Sequence, residues 1–222
     1  YAGMGLLICL VFAILSGPII RGLVRLIKTL PFAGTAGFLA SREANARPQL
    51  TQALVVPITL AAAAVGIMAA WINELTTVMA AQAGSEEKVN APPRQMALLL
   101  GGPVIVACVC ASAIVFATAS HRRADNALLL VSGATPGAIR AKAVVEAGIH
   151  AGVCLVCAYG IVVVNDVSMA KALSTGPVPS VPILAPGWQA AGVVAGGIAL
   201  TLHLLLAVTA DGMHRNPVTT IT

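Results

Sequence analysis

Charged side chains are scarce in this sequence: Asp, Glu, Lys and Arg together make up 9% of its 222 residues. Hydrophobic residues make up 58%, and the mean hydropathy is +0.92. Charged residues make up about a quarter of an average soluble domain, so this chain has too few of them to cover a soluble globule of its size. The composition therefore predicts a polytopic membrane protein.

Motifs that carry catalysis are also missing from the sequence. It contains no G-x-x-x-x-G-K-[ST] phosphate-binding loop and no nucleophile with a base at a useful spacing. The five cysteines and four histidines form no metal-ligand pattern, and every cysteine falls within an apolar run, where a thiol behaves as a small hydrophobe. We therefore expect no enzyme activity, no metal site and no cofactor in this chain.

The apolar runs are continuous and do not alternate with polar residues as the strands of a membrane barrel would. A bilayer core of about 30 Å needs about 20 apolar residues of helix. The sequence thus predicts an all-α fold with about five transmembrane helices. These lie at 3–27, 51–72, 96–119, 144–165 and 187–210.

Basic residues are divided unequally between the two sides of such a membrane protein. Ten Lys and Arg residues lie in connections on one side, and only Lys88, Arg94 and Lys171 lie on the other. The more basic side is predicted to be cytoplasmic, which places Tyr1 outside and Thr222 inside. Because the basic residues do not gather on one soluble module, we expect no nucleic-acid partner.

Residues typical of membrane interfaces flank the predicted spans. Long basic side chains and tryptophan rings commonly anchor helix ends at the lipid headgroups. Residues 31–50 mix apolar and charged side chains in a segment too short to span, which predicts an amphipathic elbow helix at the cytoplasmic surface. The predicted anchors are Arg21, Arg25, Lys28, Trp71 and Trp188.

A bend is predicted between two helices at Gly133. Leu128 to Val131 is a candidate short apolar helix, which Gly133 can end at positive φ. Thr135 and Pro136 then supply an N-cap and a first-turn proline for the next helix. Before the bend stand His121, Arg122 and Arg123, in a connection that we predict to be broken by turns, and after it stand Arg140 and Lys142. Charge thus gathers where the apolar runs stop.

The motif LLLVSGAT, followed by Ile139, Arg140 and Glu146, resembles the last domain of FtsX-like ABC transporter permeases, as in MacB-type and Bce-type systems. The pattern of spans over 42–222 agrees with this resemblance. The sequence departs from the family where a glutamate often follows the basic cluster, because here Asp125 and Asn126 stand at that place.

The resemblance implies that a coupling helix at this bend contacts a cytoplasmic ABC ATPase, which would bind the ATP and Mg. It implies a bacterial cytoplasmic (inner or plasma) membrane protein with a first helix at 1–30, an elbow helix at 31–50 and the FtsX-like domain at 51–222. Since the sequence starts at Tyr1, we expect it to begin inside a longer protein. A second FtsX-like half would come from the same polypeptide or a homodimer mate. The implied coupling residues are Leu128, Leu129, Val131, Gly133, Thr135, Pro136 and Arg140.

Three functions are weighed for such a chain. The first is the permease subunit of an ATP-driven transporter that moves or extracts an amphipathic substrate such as a peptide, lipid or lipoprotein. The alternative is a mechanotransmitting membrane regulator of cell-wall enzymes. A secondary transporter is the third, and the sequence disfavours it because it shows neither paired buried charges nor two inverted halves.

Few ionisable residues lie deep in the predicted spans. We interpret His203 as a packing residue and leave the role of His150 open, since either a hydrogen bond or a transport path could explain it. Glu146 stands four residues after Lys142. A local helix pair with Lys142 would explain this acid without proton chemistry.

The orientation gives a first testable prediction. Residues 73–95 and 166–187 should lie outside and residues 28–50 and 120–143 inside. In a variant without native cysteines, an impermeant thiol reagent added outside should label Ser85→Cys and leave Ser120→Cys unlabelled until the membrane is permeabilised. The reverse labelling pattern would overturn the orientation.

Overall fold

The computed structural model describes residues 2–28, 48–83, 93–174 and 188–214. Almost all of them are helical and none of them forms a strand, which confirms the predicted all-α class. The helices are α1 (Ala2–Lys28), α2 (Pro48–Ala83), α3 (Pro93–Ala117), α4 (Ala119–Val131), α5 (Pro136–Ser174) and α6 (Trp188–His214).

Three helical segments are long and apolar enough to cross a membrane: Leu7–Leu26, Pro48–Ile72 and Pro136–Ser168. Val104–Ala117 and Ala119–Val131 form a fourth candidate if they are taken together, but they meet at an angle of 49°. Within α6 the apolar segment found is the shorter Ala195–Thr209. The chain is therefore a helical membrane protein with three or four candidate spans, and the fifth span remains a prediction.

Helices α2 and α5 form the centre of the bundle. Each packs against α1 and α6 as well as against the other, and α3 packs on α2. Their facing surfaces are small or β-branched, with Ala62, Ala63 and Val55 of α2 and Val153 of α5 nearly inaccessible. Small residues let membrane helices approach closely without a hydrophobic driving force. Larger apolar residues such as Leu10 and Ile14 are exposed on the outside of α1, as expected for a surface in contact with lipid.

Several helix bounds differ from those predicted. Helix α2 begins at Pro48, three residues before the predicted start of the second span at 51; proline is favoured at a first helical position, where its missing N–H costs nothing. The rest of the predicted elbow helix, 31–47, lies outside the described residues. At its other end α2 runs to Ala83, past the predicted end of the span at residue 72.

The predicted short helix over Leu128 to Val131 is only the last turn of α4. This helix begins at Ala119, so the basic cluster from His121 to Arg123 is helical and the prediction of a turn-broken connection is wrong. The break lies earlier, at Thr118, whose hydroxyl donates to the carbonyl oxygens of Ile114 (2.9 Å) and Val115 (3.2 Å). Such back-bonding by threonine bends helices. The alanine, arginine and leucine residues that follow favour helix.

Close packing of α6 on α2 gives a second prediction. A Cβ atom on Gly197 would lie 3.2 Å from Ile58 Cγ2, whereas a Cβ on the neighbouring Gly196 would meet nothing within 4 Å. Gly197→Leu should therefore lower stability by about 1–3 kcal/mol through overpacking. Gly196→Leu gains the same helix propensity without this contact, so it should match the parent or exceed its stability by up to about 1 kcal/mol. Thermal unfolding in one detergent measures both, and equal melting temperatures for the two variants would contradict this packing.

Candidate functional site: the α4–α5 elbow

The turn between α4 and α5 is fixed by its backbone. Gly133 has a φ of 94°, a left-handed conformation that side chains disfavour. The Gly133 N–H donates to the Leu130 carbonyl oxygen (3.0 Å), and the Ala134 N–H donates to that of Leu129 (2.9 Å). This pair of bonds is the Schellman motif, which satisfies carbonyl groups at the end of a helix. The predicted left-handed turn at Gly133 is confirmed.

The start of α5 also follows the prediction. The Thr135 hydroxyl oxygen accepts a hydrogen bond from the Ala138 N–H at 3.2 Å, so Thr135 caps the helix. Pro136 is the first helical residue, where proline is favoured because its N–H would have no partner. Only residues 132–135 separate the two helices. The elbow is therefore short and held by hydrogen bonds at both helix ends.

The end of α4 presents apolar side chains outward. Leu128 is 55% exposed and Val131 is 68% exposed. Gly133, Thr135, Pro136 and Arg140 are also exposed, whereas Leu129 is only partly accessible. The predicted coupling residues are thus gathered on one tip of the structure, with Leu129 turned partly inward.

An ion pair joins the two helices behind this tip. The Arg122 guanidinium of α4 donates to both carboxylate oxygens of Glu146 of α5, with N–O distances of 2.8 Å and 3.0 Å. The side chains are 17% and 5% exposed. Two parallel bonds of this kind fix orientation as well as distance. We predicted that Glu146 pairs with Lys142 of the same helix. That prediction is wrong, because the main partner of Glu146 is Arg122 of α4.

The sequence did contain a signal for this pair. Arg122 and Glu146 are equidistant from Ala134 along the chain, so two helices that fold back at the Gly133 turn bring them to the same level. The signal is lost when the segment before Leu128 is predicted to be broken by turns.

Other polar side chains surround the ion pair. A pocket of about 10 Å³ lies between α4, α5 and α6, with Asn126, Lys142 and Thr209 in its lining beside Arg122 and Glu146. This space is about that of one water molecule. Asn126 and Lys142 are buried, so Lys142 is not the surface residue that its place in a basic cluster suggested.

His150 lies one turn of α5 beyond Glu146. It is 5% exposed. Its Nδ1 atom has no hydrogen-bond partner among the residues that the structure describes. His203, which we interpreted as a packing residue, is instead exposed on α6, with its Nδ1 3.2 Å from the Ala199 carbonyl oxygen. That interpretation is wrong for packing inside this chain, because the residue is exposed, although the Ala199 carbonyl supplies a hydrogen-bond partner for its ring.

Buried polar residues do not continue along α5. Beyond His150 and Cys154, the same face carries the buried apolar residues Ala158 and Val162 before Asp166. At about 1.5 Å per residue this gap between Cys154 and Asp166 is about 18 Å. The buried Glu146 is paired with Arg122, which is 17% exposed, so the predicted lack of paired buried charges is wrong for Glu146, but this face offers no continuous proton path.

The cysteines behave as small packing residues. Cys154 is fully buried and its thiol lies 3.7 Å from the Val55 carbonyl oxygen of α2. Cys157 is buried and unbridged, and among the described residues no group of three potential metal ligands is found.

The predicted interface anchors lie apart from the elbow. Arg21 and Arg25 are exposed near the end of α1, and the Arg21 Nε donates to the Gly17 carbonyl oxygen at 3.1 Å. Trp71 is 41% exposed on α2. Lys28 ends α1 and Trp188 begins α6, but their side chains lie outside what the structure describes. The anchoring role remains a prediction.

Comparisons with known proteins identify no family. No protein-family model, no curated protein and no solved structure matches this chain. The likeness to FtsX-like permeases therefore depends on the elbow residues and the pattern of spans alone.

The backbone of the turn gives a third prediction. Gly133→Ala should lower the free energy of unfolding by about 1–2 kcal/mol, because a Cβ is unfavourable in a left-handed conformation. Gly137→Ala is the matched control: Gly137 lies in the first turn of α5, the nearest side-chain atom to an added Cβ is Thr135 Oγ1 at 3.9 Å, and alanine favours helix. Thermal unfolding should separate the two, and an unchanged melting temperature for Gly133→Ala would show that the turn is not needed.

Proposed function

We propose that this chain is the transmembrane permease subunit of an ATP-driven ABC transporter and that the α4–α5 elbow is its contact with a cytoplasmic ATPase. The proposal depends on one observation: Leu128 and Val131 are exposed at the end of α4, and α4 is held in place on both sides. The Gly133 turn holds one side of this tip, and the Arg122–Glu146 pair holds α4 against α5.

Such a tip suits the transmission of movement. Exposed apolar side chains supply binding area to a partner, and the exposed Arg140 adds a cation beside them. A short connection without slack carries a displacement of α4 into α5, the longest described helix. The core of the bundle contains α5, so movement of this helix reaches the membrane interior.

The finer parts of the proposal follow the family resemblance. ATP and Mg would bind to the partner ATPase, and the substrate would be amphipathic: a peptide, lipid or lipoprotein. A second FtsX-like half would pack against exposed apolar surfaces of the bundle. A mechanotransmitting regulator of cell-wall enzymes would use the same elbow, and a transport assay with the assembled complex separates it from a permease.

Site-specific photocrosslinking tests the contact with the ATPase. A photoreactive amino acid at Leu128 or Val131, introduced in native membranes, should crosslink to a subunit that carries a G-x-x-x-x-G-K-[ST] nucleotide-binding loop. The matched control is Leu10, which is similarly exposed at 60% but lies on α1, and it should not yield this product. Crosslinks from Leu128 and Val131 to lipid alone would contradict the proposal.

In the assembled complex, Leu129→Asp and Arg140→Glu should lower transport more than ATP turnover, because both lie at the proposed contact. If binding of the ATPase, its turnover and export are all unchanged in both variants, the elbow has no coupling role.

A further inference from the structure

Glu146 occupies the middle of a row of polar residues on α5. Lys142 precedes it by one turn and His150 follows it by one turn, and all three are buried, with exposures of 7%, 4% and 5% for Lys142, Glu146 and His150. Residues four apart on a helix are neighbours on one face. The carboxylate therefore has candidate partners on its own helix in addition to Arg122 of α4.

Helix α4 is bounded by a defined break at each end. At Thr118 it meets α3 at 49°, and at Gly133 it turns into α5. It packs chiefly against α6 and has few contacts with α5. Hinges at such breaks can let a segment move as a rigid body. A displacement of α4 away from α5 that exceeds the reach of these two side chains separates Arg122 from Glu146.

Separation of this pair would leave a buried carboxylate without its main partner. A buried charge that loses its partner is destabilising, so a donor that takes the place of Arg122 stabilises the displaced state. His150 has the means to supply one, because its Nδ1 makes no hydrogen bond within the described part of the chain. In the tautomer that carries the proton on Nδ1, or in the imidazolium form, this nitrogen donates to a carboxylate.

We propose that Glu146 exchanges partners, bound by Arg122 when α4 is docked on α5 and by His150 when α4 is displaced. His150 is then a positioning residue: it makes the displaced arrangement a second stable state. The proposal depends on the proposed function only for what displaces α4, which would be the ATPase. The exchange itself is a property of this chain.

A double-mutant cycle on the purified chain in detergent, without any ATPase, tests the exchange. In the parent, His150→Leu should leave the melting temperature unchanged or raise it, because it removes a buried nitrogen that has no partner. In the Arg122→Gln background His150 is expected to hold Glu146, so the same His150→Leu change should lower the melting temperature by about 3 °C or more. The sign of the change in melting temperature caused by His150→Leu thus depends on Arg122, a residue of another helix.

Two controls make the cycle specific. His203→Leu replaces an exposed histidine and should have the same effect in both backgrounds. Glu146→Gln removes the carboxylate charge whose partner is exchanged. When Glu146→Gln is added to the Arg122→Gln background, His150→Leu should therefore no longer lower the melting temperature. The double variant Arg122→Gln/His150→Leu could fail to fold while both single variants and Arg122→Gln/His203→Leu fold. That result would also show that the effect of His150→Leu depends on Arg122.

Equal effects of His150→Leu in the two backgrounds would overturn the exchange. A loss in the parent as large as that in Arg122→Gln would also overturn it, because His150 would then bind Glu146 at all times. Neither result depends on an ATPase, whereas the crosslinking experiment does. The exchange and the proposed function can therefore fail separately.

Discussion

The elbow depends on one constraint: a carboxylate within a helical membrane bundle needs a cation at fixed geometry. The Glu146 side chain is 5% exposed, and Arg122, 17% exposed, supplies both bonds to it. An exposed ion pair contributes about 0–1 kcal/mol, whereas removing one partner of a fully buried pair costs about 3–5 kcal/mol because a charge is left unpaired; this pair lies between the two limits. It holds α4 beside α5, which otherwise touches it little. The position of the exposed tip, with Leu128 and Val131, follows from that contact.

The rest of the bundle is held by close packing rather than by charge. Lipid is as apolar as leucine, so burial of leucine gives little driving force between helices in a membrane. What distinguishes α2 and α5 is the small size of their contact residues, such as Ala62 and Ala63. Gly197 brings α6 within reach of Ile58 in the same way. Two kinds of interaction thus divide the structure: small-residue contacts form its centre, and a bonded polar cluster forms its elbow.

This division explains what could be predicted from the sequence. The Gly133 turn and the Thr135 cap were predicted correctly, because each is decided by residues within about four positions of itself. The Arg122–Glu146 pair was missed because it needs the relative placement of two helices. The bend at Thr118 was missed because one threonine in an apolar helix is usually accommodated without a break. Exposure of His203 could not be predicted either, since the buried face of α6 is set by its neighbours.

The two ends of α4 are held differently, so a displacement of α4 would reach its neighbouring helices unequally. At Thr118 the backbone bonds continue through the bend, from the Thr118 N–H to Ile114 and from the Arg122 N–H to Thr118, and no residue adopts a left-handed conformation there. At the other end the chain reverses through Gly133 and is tied to α5 by the turn and, while α4 is docked, also by the ion pair. Helix α4 also packs on α6 rather than on α3. A force applied at Leu128 and Val131 would thus reach α5 and α6, while the angle at Thr118 absorbs the change toward α3. Any partner that docks on this tip would act on the half of the bundle that follows the elbow in the sequence.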